Sequence, residues 1–134
     1  MKVLVDTPVW SALLRRRSPN SPEADELSRL VREDRAVLLG MVRLEILSGL
    51  EQPVQFERVR RSLAFFGDIA TTAADHERAA EFSNKCRRAG IQGSSVDFLI
   101  CATAASRLFT IYTTDLDFKH FAKILPIELH RPIG

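Results

Sequence analysis

The feature that most constrains the fold is a long apolar segment in the last third of the chain. Between residues 96 and 108 only Asp97 and Arg107 carry charge, so a helix here has almost no face suited to water. We expect this helix to be buried at the centre of the domain. Residues 109–113 then alternate bulky and β-branched side chains, which predicts a short strand. A buried helix that leads directly into a strand favours an α/β fold.

The rest of the chain alternates between strand and helix patterns. Strands are predicted at 2–5, 36–39, 69–71 and, as a last edge strand, 127–129. Helices are predicted at 7–16, from 21 onward, and at 42–50, 54–66, 72–89 and 118–124. Their starts carry capping chemistry at Thr7-Pro8, at Ser21 and at the pair Thr72 and Asp75. Strands separated by helices predict a three-layer α/β sandwich with a central, mostly parallel sheet.

Length and composition indicate a single domain spanning residues 1–134. Hydrophobic residues make up 46% of the chain and charged residues 27%, as in ordinary globular proteins. No apolar run approaches the ~18 residues of a membrane span. The apolar run at the N-terminus is broken at Asp6, which is too early for a signal peptide. We therefore expect a cytoplasmic protein with no membrane partner.

The cysteines and histidines do not indicate a zinc or redox centre. Cys86 and Cys101 form no CxxC motif, and the three histidines have no regularly spaced partner and are expected at the surface. The net charge of +2 is mildly basic, which is compatible with a nucleic-acid partner but does not demonstrate one.

Four acidic residues are expected to meet at one edge of the sheet. Asp6 and Asp115 follow predicted strands, Asp97 begins the central helix, and Glu45 lies on the helix after the second strand. In an open parallel sheet the carboxyl ends of the strands form the ligand crevice. Two carboxylates ~6 Å apart repel by roughly 3 kcal/mol at an effective dielectric near 20, so such a cluster needs raised pKa values or a cation. Oxygen ligands without His or Cys favour Mg²⁺ or Mn²⁺.

Each acid also has a purely structural interpretation. Asp6 or Thr7 can cap the first helix, and Asp97 stands three residues after Ser94, as in a capping box. Asp115 and Asp117 fit an ordinary turn. Only the joint placement of these residues distinguishes a site from a set of caps and turns.

Four motifs together resemble the PIN-domain family, and within it the VapC-type ribonuclease toxins of bacterial toxin–antitoxin pairs. They are V-D-T-P-V-W-S-A-L-L from Val5, V-R-L-E-I-L-S-G-L from Val42, V-D-F-L-I-C-A-T-A from Val96 and Y-T-T-D-L-D-F from Tyr112. The resemblance covers nearly the whole chain and implies a single PIN-like nuclease domain. Pro8 stands where such toxins often carry Ser or Asn, which leaves Thr7 as the hydroxyl beside Asp6.

The resemblance implies cleavage of RNA that depends on Mg²⁺ or Mn²⁺, without specifying tRNA, rRNA or mRNA. It also implies a homodimer and an antitoxin that inserts a segment into the acidic site. The family's metal-binding and catalytic acids map onto Asp6, Glu45, Asp97 and Asp115, with Asp117 as a less constant fifth and Thr7 and Thr113 as supporting residues. Candidate RNA contacts are Arg15, Arg16, Arg17 and Arg43, and the arginines at 58, 60 and 61 can extend a basic rim.

Two other functions are compatible with the pattern. One is a PIN nuclease of RNA processing or decay that has no antitoxin. The other, from a different class, is a non-catalytic α/β module that binds nucleic acid or protein, although such a relic should have lost one of the four acids. For the predicted dimer, the amphipathic segment 54–66 is the candidate interface through Phe65, with simple core packing of that segment as the alternative.

Overall fold

The computed structural model describes residues 1–15 and 21–132 and contains a four-stranded parallel sheet. Its strands are β1 (Val3–Val5), β2 (Ala36–Leu39), β3 (Asp68–Ile69) and β4 (Thr110–Tyr112), in the order β3-β2-β1-β4. Helices flank this sheet, which confirms the predicted α/β class. The predicted RNA contacts Arg16 and Arg17 lie outside the described residues.

Within the described residues, seven helices connect or follow the strands. They are α1 (Thr7–Leu14), α2 (Pro22–Arg32), α3 (Gly40–Ser48), α4 (Pro53–Leu63), α5 (Ala73–Arg88), α6 (Ser95–Arg107) and α7 (Asp117–Ala122). Each matches a predicted helix, with ends shifted by up to three residues. The predicted edge strand at 127–129 is reduced to an isolated bridge between Leu129 and Ile111.

Side-chain caps explain where several helices begin. Asp6 accepts the backbone N–H of Thr7 at the start of α1, and the Ser21 hydroxyl accepts that of Ala24 in α2. Reciprocal capping boxes begin α5, through Thr72 and Asp75, and α6, through Ser94 and Asp97. The capping interpretation of both Asp6 and Asp97 is therefore confirmed.

The sheet order determines where a ligand crevice can form. The chain runs outward from β1 to β2 and β3, and then returns to place β4 on the other side of β1. The order thus reverses between β1 and β4, which pair in parallel from Val3 with Thr110 to Val5 with Tyr112. Ligands of open α/β sheets bind at the carboxyl ends of the strands at such a reversal.

Helix α6 is the buried central helix that its sequence predicts. All seven residues from Phe98 to Ala104 are buried, and α6 packs mainly against α5. The structure ends this helix one residue earlier than predicted, since Leu108 has φ of 58° and is 83% exposed. Ala89, the last residue of the predicted helix 72–89, lies just after α5 and is exposed.

One histidine also departs from expectation. His76 and His120 are exposed, but the ring of His130 lies 2.7 Å from Oε2 of the buried Glu26. Sequence spacing did not reveal this pair because its members are 104 residues apart. Within the described part of the chain, no helix is long and apolar enough to cross a membrane.

Candidate active site

Asp6 lies at the carboxyl end of β1 and is the most buried of the predicted acids, at 4% exposure. Its backbone N–H donates to the carbonyl of Tyr112, which continues the pairing of β1 with β4. Its carboxylate accepts two hydrogen bonds, from the Thr7 backbone N–H at 2.8 Å and from the Thr113 hydroxyl at 2.7 Å. Asp6 is thus held in one orientation from both sides.

Asp115 is positioned through the same threonine. Its backbone N–H donates to Oγ1 of Thr113 at 3.0 Å, and its own Oδ1 accepts the backbone N–H of Asp117 at 2.9 Å. Asp117 is the first residue of α7 and is exposed. The turn after β4 therefore holds Asp115 close to Asp6 and leaves Asp117 at the rim.

Asp97 caps α6 and faces the site at the same time. Its Oδ2 accepts the backbone N–H of Ser94 at 3.0 Å, and its side chain is half-buried. A capping box leaves the second carboxylate oxygen of Asp97 available for other partners.

Glu45 approaches from α3, whose start follows directly on β2. It is exposed, and its Oε1 accepts the hydroxyl of Thr7 at 2.6 Å. Thr7 therefore contacts two predicted site residues, because its backbone N–H donates to Asp6 and its side chain to Glu45.

Repulsion among the four acids contributes to the raised pKa values of Asp6 and Asp97. Burial raises the pKa of Asp6 to about 6, against lowering by the Thr113 and Thr7 hydrogen bonds, and the charges of Asp97 and Glu45 add to the rise. Burial also raises the pKa of Asp97, to which the charges of Asp115 and Glu45 contribute. A cluster that places this much negative charge around a buried carboxyl group favours a bound cation.

Comparison with known proteins identifies the family. The family model described as the PIN domain matches residues 3–124. The chain belongs to the PIN domain family. A comparison with curated proteins gave no match.

Several solved structures share the fold of this PIN domain. FitAcB of Neisseria gonorrhoeae is 24% identical with a TM-score of 0.78, and the match covers 97% of each chain. VapBC2 of Rickettsia felis, bound to a DNA fragment from its promoter, is 17% identical with a TM-score of 0.75 and coverage of 97% and 98%. DNA-bound VapBC of Salmonella typhimurium is 15% identical with a TM-score of 0.72 and coverage of 97% of each chain.

The donor chemistry of this PIN domain fits a hard divalent cation. The four acids offer only carboxylate oxygens, which suit Mg²⁺ or Mn²⁺. Within residues 1–15 and 21–132, however, no group of three or more His, Cys, Asp or Glu side chains forms a ready-made metal site. The carboxylates of Asp6 and Glu45 are instead bonded to the hydroxyls of Thr113 and Thr7. Ion binding therefore requires side chains to adjust from the arrangement seen here.

Cys101 is a neighbour of Asp97 that was not among the predicted site residues. It lies one turn after Asp97 on α6 and is fully buried. Burial raises the pKa of its thiol far above the usual value, and the charges of Asp97 and Asp6 contribute. The thiol is therefore protonated in the metal-free protein and adds no negative charge beside Asp97. The sequence signal that could have identified Cys101 is its spacing of four residues from Asp97, which places both side chains on one face of α6.

Arg15 and Arg43, the two predicted RNA contacts within the described residues, both pack against other parts of the protein. Arg43 donates to Oδ1 of Asp68 and to the carbonyls of Leu63 and Phe66, so its guanidinium is engaged within the protein. Arg15 packs against Gly49, where a Cβ would collide with its guanidinium. RNA contact by Arg15 or Arg43 stays a prediction.

Proposed function

We propose that this PIN domain is a metal-dependent endoribonuclease and the toxin of a toxin–antitoxin pair. The observation that carries the proposal is the convergence of Asp6, Glu45, Asp97 and Asp115 at the reversal between β1 and β4, with the pKa of Asp6 raised to about 6. Family membership supports nuclease chemistry, and the choice of RNA rests on the sequence resemblance to VapC-type toxins.

Each acid has a distinct part in the proposed reaction. Asp6, Asp97 and Asp115 would hold Mg²⁺ or Mn²⁺, which supplies charge stabilisation at the scissile phosphate and lowers the pKa of a bound water. Glu45 orients the attacking water or adds a ligand, and Asp117 at the rim is a further ligand. Thr113 and Thr7 fix the orientations of Asp6 and Glu45 through their hydroxyls.

The shape of the site supports an unpaired RNA strand as substrate. Asp6 is buried, whereas Glu45 and Asp117 are exposed, so the scissile phosphate must enter the cluster from the rim. Single-stranded or looped RNA can splay its backbone to do this, whereas a duplex holds its phosphates on a rigid helix.

An antitoxin partner is proposed from the structural neighbours and from the surface. A further solved structure with this fold, from Klebsiella pneumoniae, is a toxin–antitoxin complex that is 20% identical with a TM-score of 0.67. Between α1, α2 and α4 the described residues leave an apolar groove of about 580 Å³. Its lining includes Leu13, Leu14 and Val31. An apolar surface of this kind favours a protein partner.

The test is a cleavage assay on total cellular RNA with mapped product ends. We expect no cleavage in excess chelator, cleavage after Mg²⁺ or Mn²⁺ is restored, and none with Asp97→Asn. Glu77→Gln on the exposed face of α5 is the matched control and should cleave like the parent protein. Robust cleavage in chelator would rule out the metal mechanism and indicate acid–base chemistry.

A further inference from the structure

A second groove, which is polar, lies beside β4. It has a volume of about 890 Å³. Its walls come from the start of the chain, from β4, from α7 and from the C-terminal segment that bridges to β4. The residues that carry the argument below are Arg35, Thr110, Thr113, Lys119, Glu128 and Arg131. We call this surface the β4 groove.

The charge of the β4 groove is positive. Lys119 and Arg131 are exposed and take part in none of the ion pairs formed by the described residues. Arg35 adds a third cation, although Glu33 contacts it at 3.1 Å. Glu128 is the one acid among the groove residues within the described chain. The groove therefore attracts anions, in contrast to the acidic site beside it.

The β4 groove is continuous with the candidate active site. Thr113 lines the groove and also donates its hydroxyl to Asp6. Thr110 and Thr113 are three residues apart, so at a rise of about 3.3 Å per residue the groove extends roughly 10 Å from the site along the strand. An extended polyanion cleaved at Asp6 can therefore continue along β4.

We propose that the β4 groove binds the backbone of single-stranded RNA next to the cleaved bond, with Lys119, Arg131 and Arg35 contacting phosphates. This inference rests on the proposed ribonuclease function and names the path of the strand. It also explains how a cluster of carboxylates retains a polyanion, since the adjacent groove supplies the attraction.

The test measures binding of a short fluorescein-labelled single-stranded RNA in Mg²⁺ over a NaCl titration. The Asp97→Asn protein is the background, so that binding is measured without cleavage. Adding Lys119→Ala and Arg131→Ala should weaken binding about tenfold at low salt and reduce the slope of log K against log[NaCl] by about 1.4, at 0.7 per lost phosphate contact. The matched pair Lys85→Ala and Arg88→Ala, exposed on α5, should leave both quantities unchanged.

A second measurement separates binding from folding. The melting temperature of the Lys119 and Arg131 variant should match that of its Asp97→Asn background, because both side chains are exposed. Unchanged affinity and an unchanged salt slope in this variant would overturn the proposal that RNA follows the β4 groove. If the parent protein still cleaves RNA in Mg²⁺, the proposed function stands despite that result. If the parent does not cleave, the groove is judged by binding alone.

Discussion

Oγ1 of Thr113 donates a 2.7 Å hydrogen bond to Oδ2 of Asp6, across 107 residues of sequence. The same oxygen accepts the backbone N–H of Asp115. One hydroxyl therefore sets the relative positions of two site acids that come from neighbouring strands. In the proposed reaction Thr113 would be a positioning residue, because its hydroxyl acts through Asp6 and Asp115.

Thr113→Val should impair cleavage without unfolding the protein. Loss of the hydroxyl frees the Asp6 carboxylate and leaves the Asp115 N–H without its partner, at a cost of about 1–2 kcal/mol in the free energy of unfolding. Residues that orient metal ligands typically contribute about 10–100-fold, and we expect that loss in the rate of RNA cleavage. Thr113→Ser keeps the hydroxyl and should restore most of the rate. Equal rates for the parent, Val and Ser proteins would show that the hydroxyl is not needed.

Asp6→Asn should stabilise the metal-free protein in a pH-dependent way. The folded-state pKa of about 6 lies above the ordinary value of 3.8, so ionisation of Asp6 costs stability as the pH rises through this range. The full difference corresponds to about 3 kcal/mol. In chelator, urea unfolding should therefore show little difference between Asp6→Asn and the parent near pH 4, and a growing advantage for Asp6→Asn up to pH 7. Glu81→Gln, on the exposed face of α5, is the control and should leave the free energy of unfolding nearly unchanged.

Asp97→Asn should abolish RNA cleavage while making the metal-free protein more stable. Asn can still accept the Ser94 N–H, so the cap is kept, while relief of repulsion from Asp115 and Glu45 stabilises the metal-free protein by about 1–3 kcal/mol. In saturating Mg²⁺ the difference between the melting temperatures of the two proteins should narrow or change sign, because the parent gains more stability from ion binding. An equal response of both proteins to Mg²⁺, with normal RNA cleavage by the variant, would make Asp97 a cap alone.

Arg107→Ala should destabilise the protein, although Arg107 lies at the end of α6 opposite Asp97. Asp75 is buried, and its pKa is lowered to about 2, first by hydrogen bonding to the Arg107 guanidinium. We expect a loss of about 2 kcal/mol at pH 7, since the carboxylate remains buried without its partner. Because the folded-state pKa is lowered, the pair stabilises the fold above about pH 4 and this contribution is lost as the pH falls towards 2. The difference between the two proteins should therefore shrink in acid. Arg60→Ala, in an exposed pair with Glu57, should change little.

Phe65→Ser should convert the predicted homodimer into a monomer. The structure excludes core packing for this residue, which is 90% exposed at the end of the segment proposed as the interface. Light scattering at micromolar concentration should give a dimeric mass for the parent and a monomeric mass for the variant, with the melting profile checking that the fold is intact. Leu108→Ser changes a residue of similar exposure elsewhere and should leave the dimer unaffected. A monomeric parent would contradict the prediction.

The features that the sequence determined by itself are local ones. The capping pairs Thr72 with Asp75 and Ser94 with Asp97 span three residues each, and both begin helices where predicted. The apolar run of α6 predicted its burial, since no other placement removes so many apolar side chains from water. Local signals also placed each candidate acid on the right element.

Tertiary structure decided which of these elements are neighbours. The order β3-β2-β1-β4 brings β4 beside β1, and only this order lets Thr113 reach Asp6. The pairs Asp75 with Arg107 and Glu26 with His130 likewise join residues 32 and 104 apart, and neither was predicted. Helical and strand periodicity describe how a residue relates to its neighbours within a few positions, whereas these contacts depend on how whole elements pack. The raised pKa of Asp6 follows from that packing, because burial and the nearby charges arise only once the distant segments are assembled.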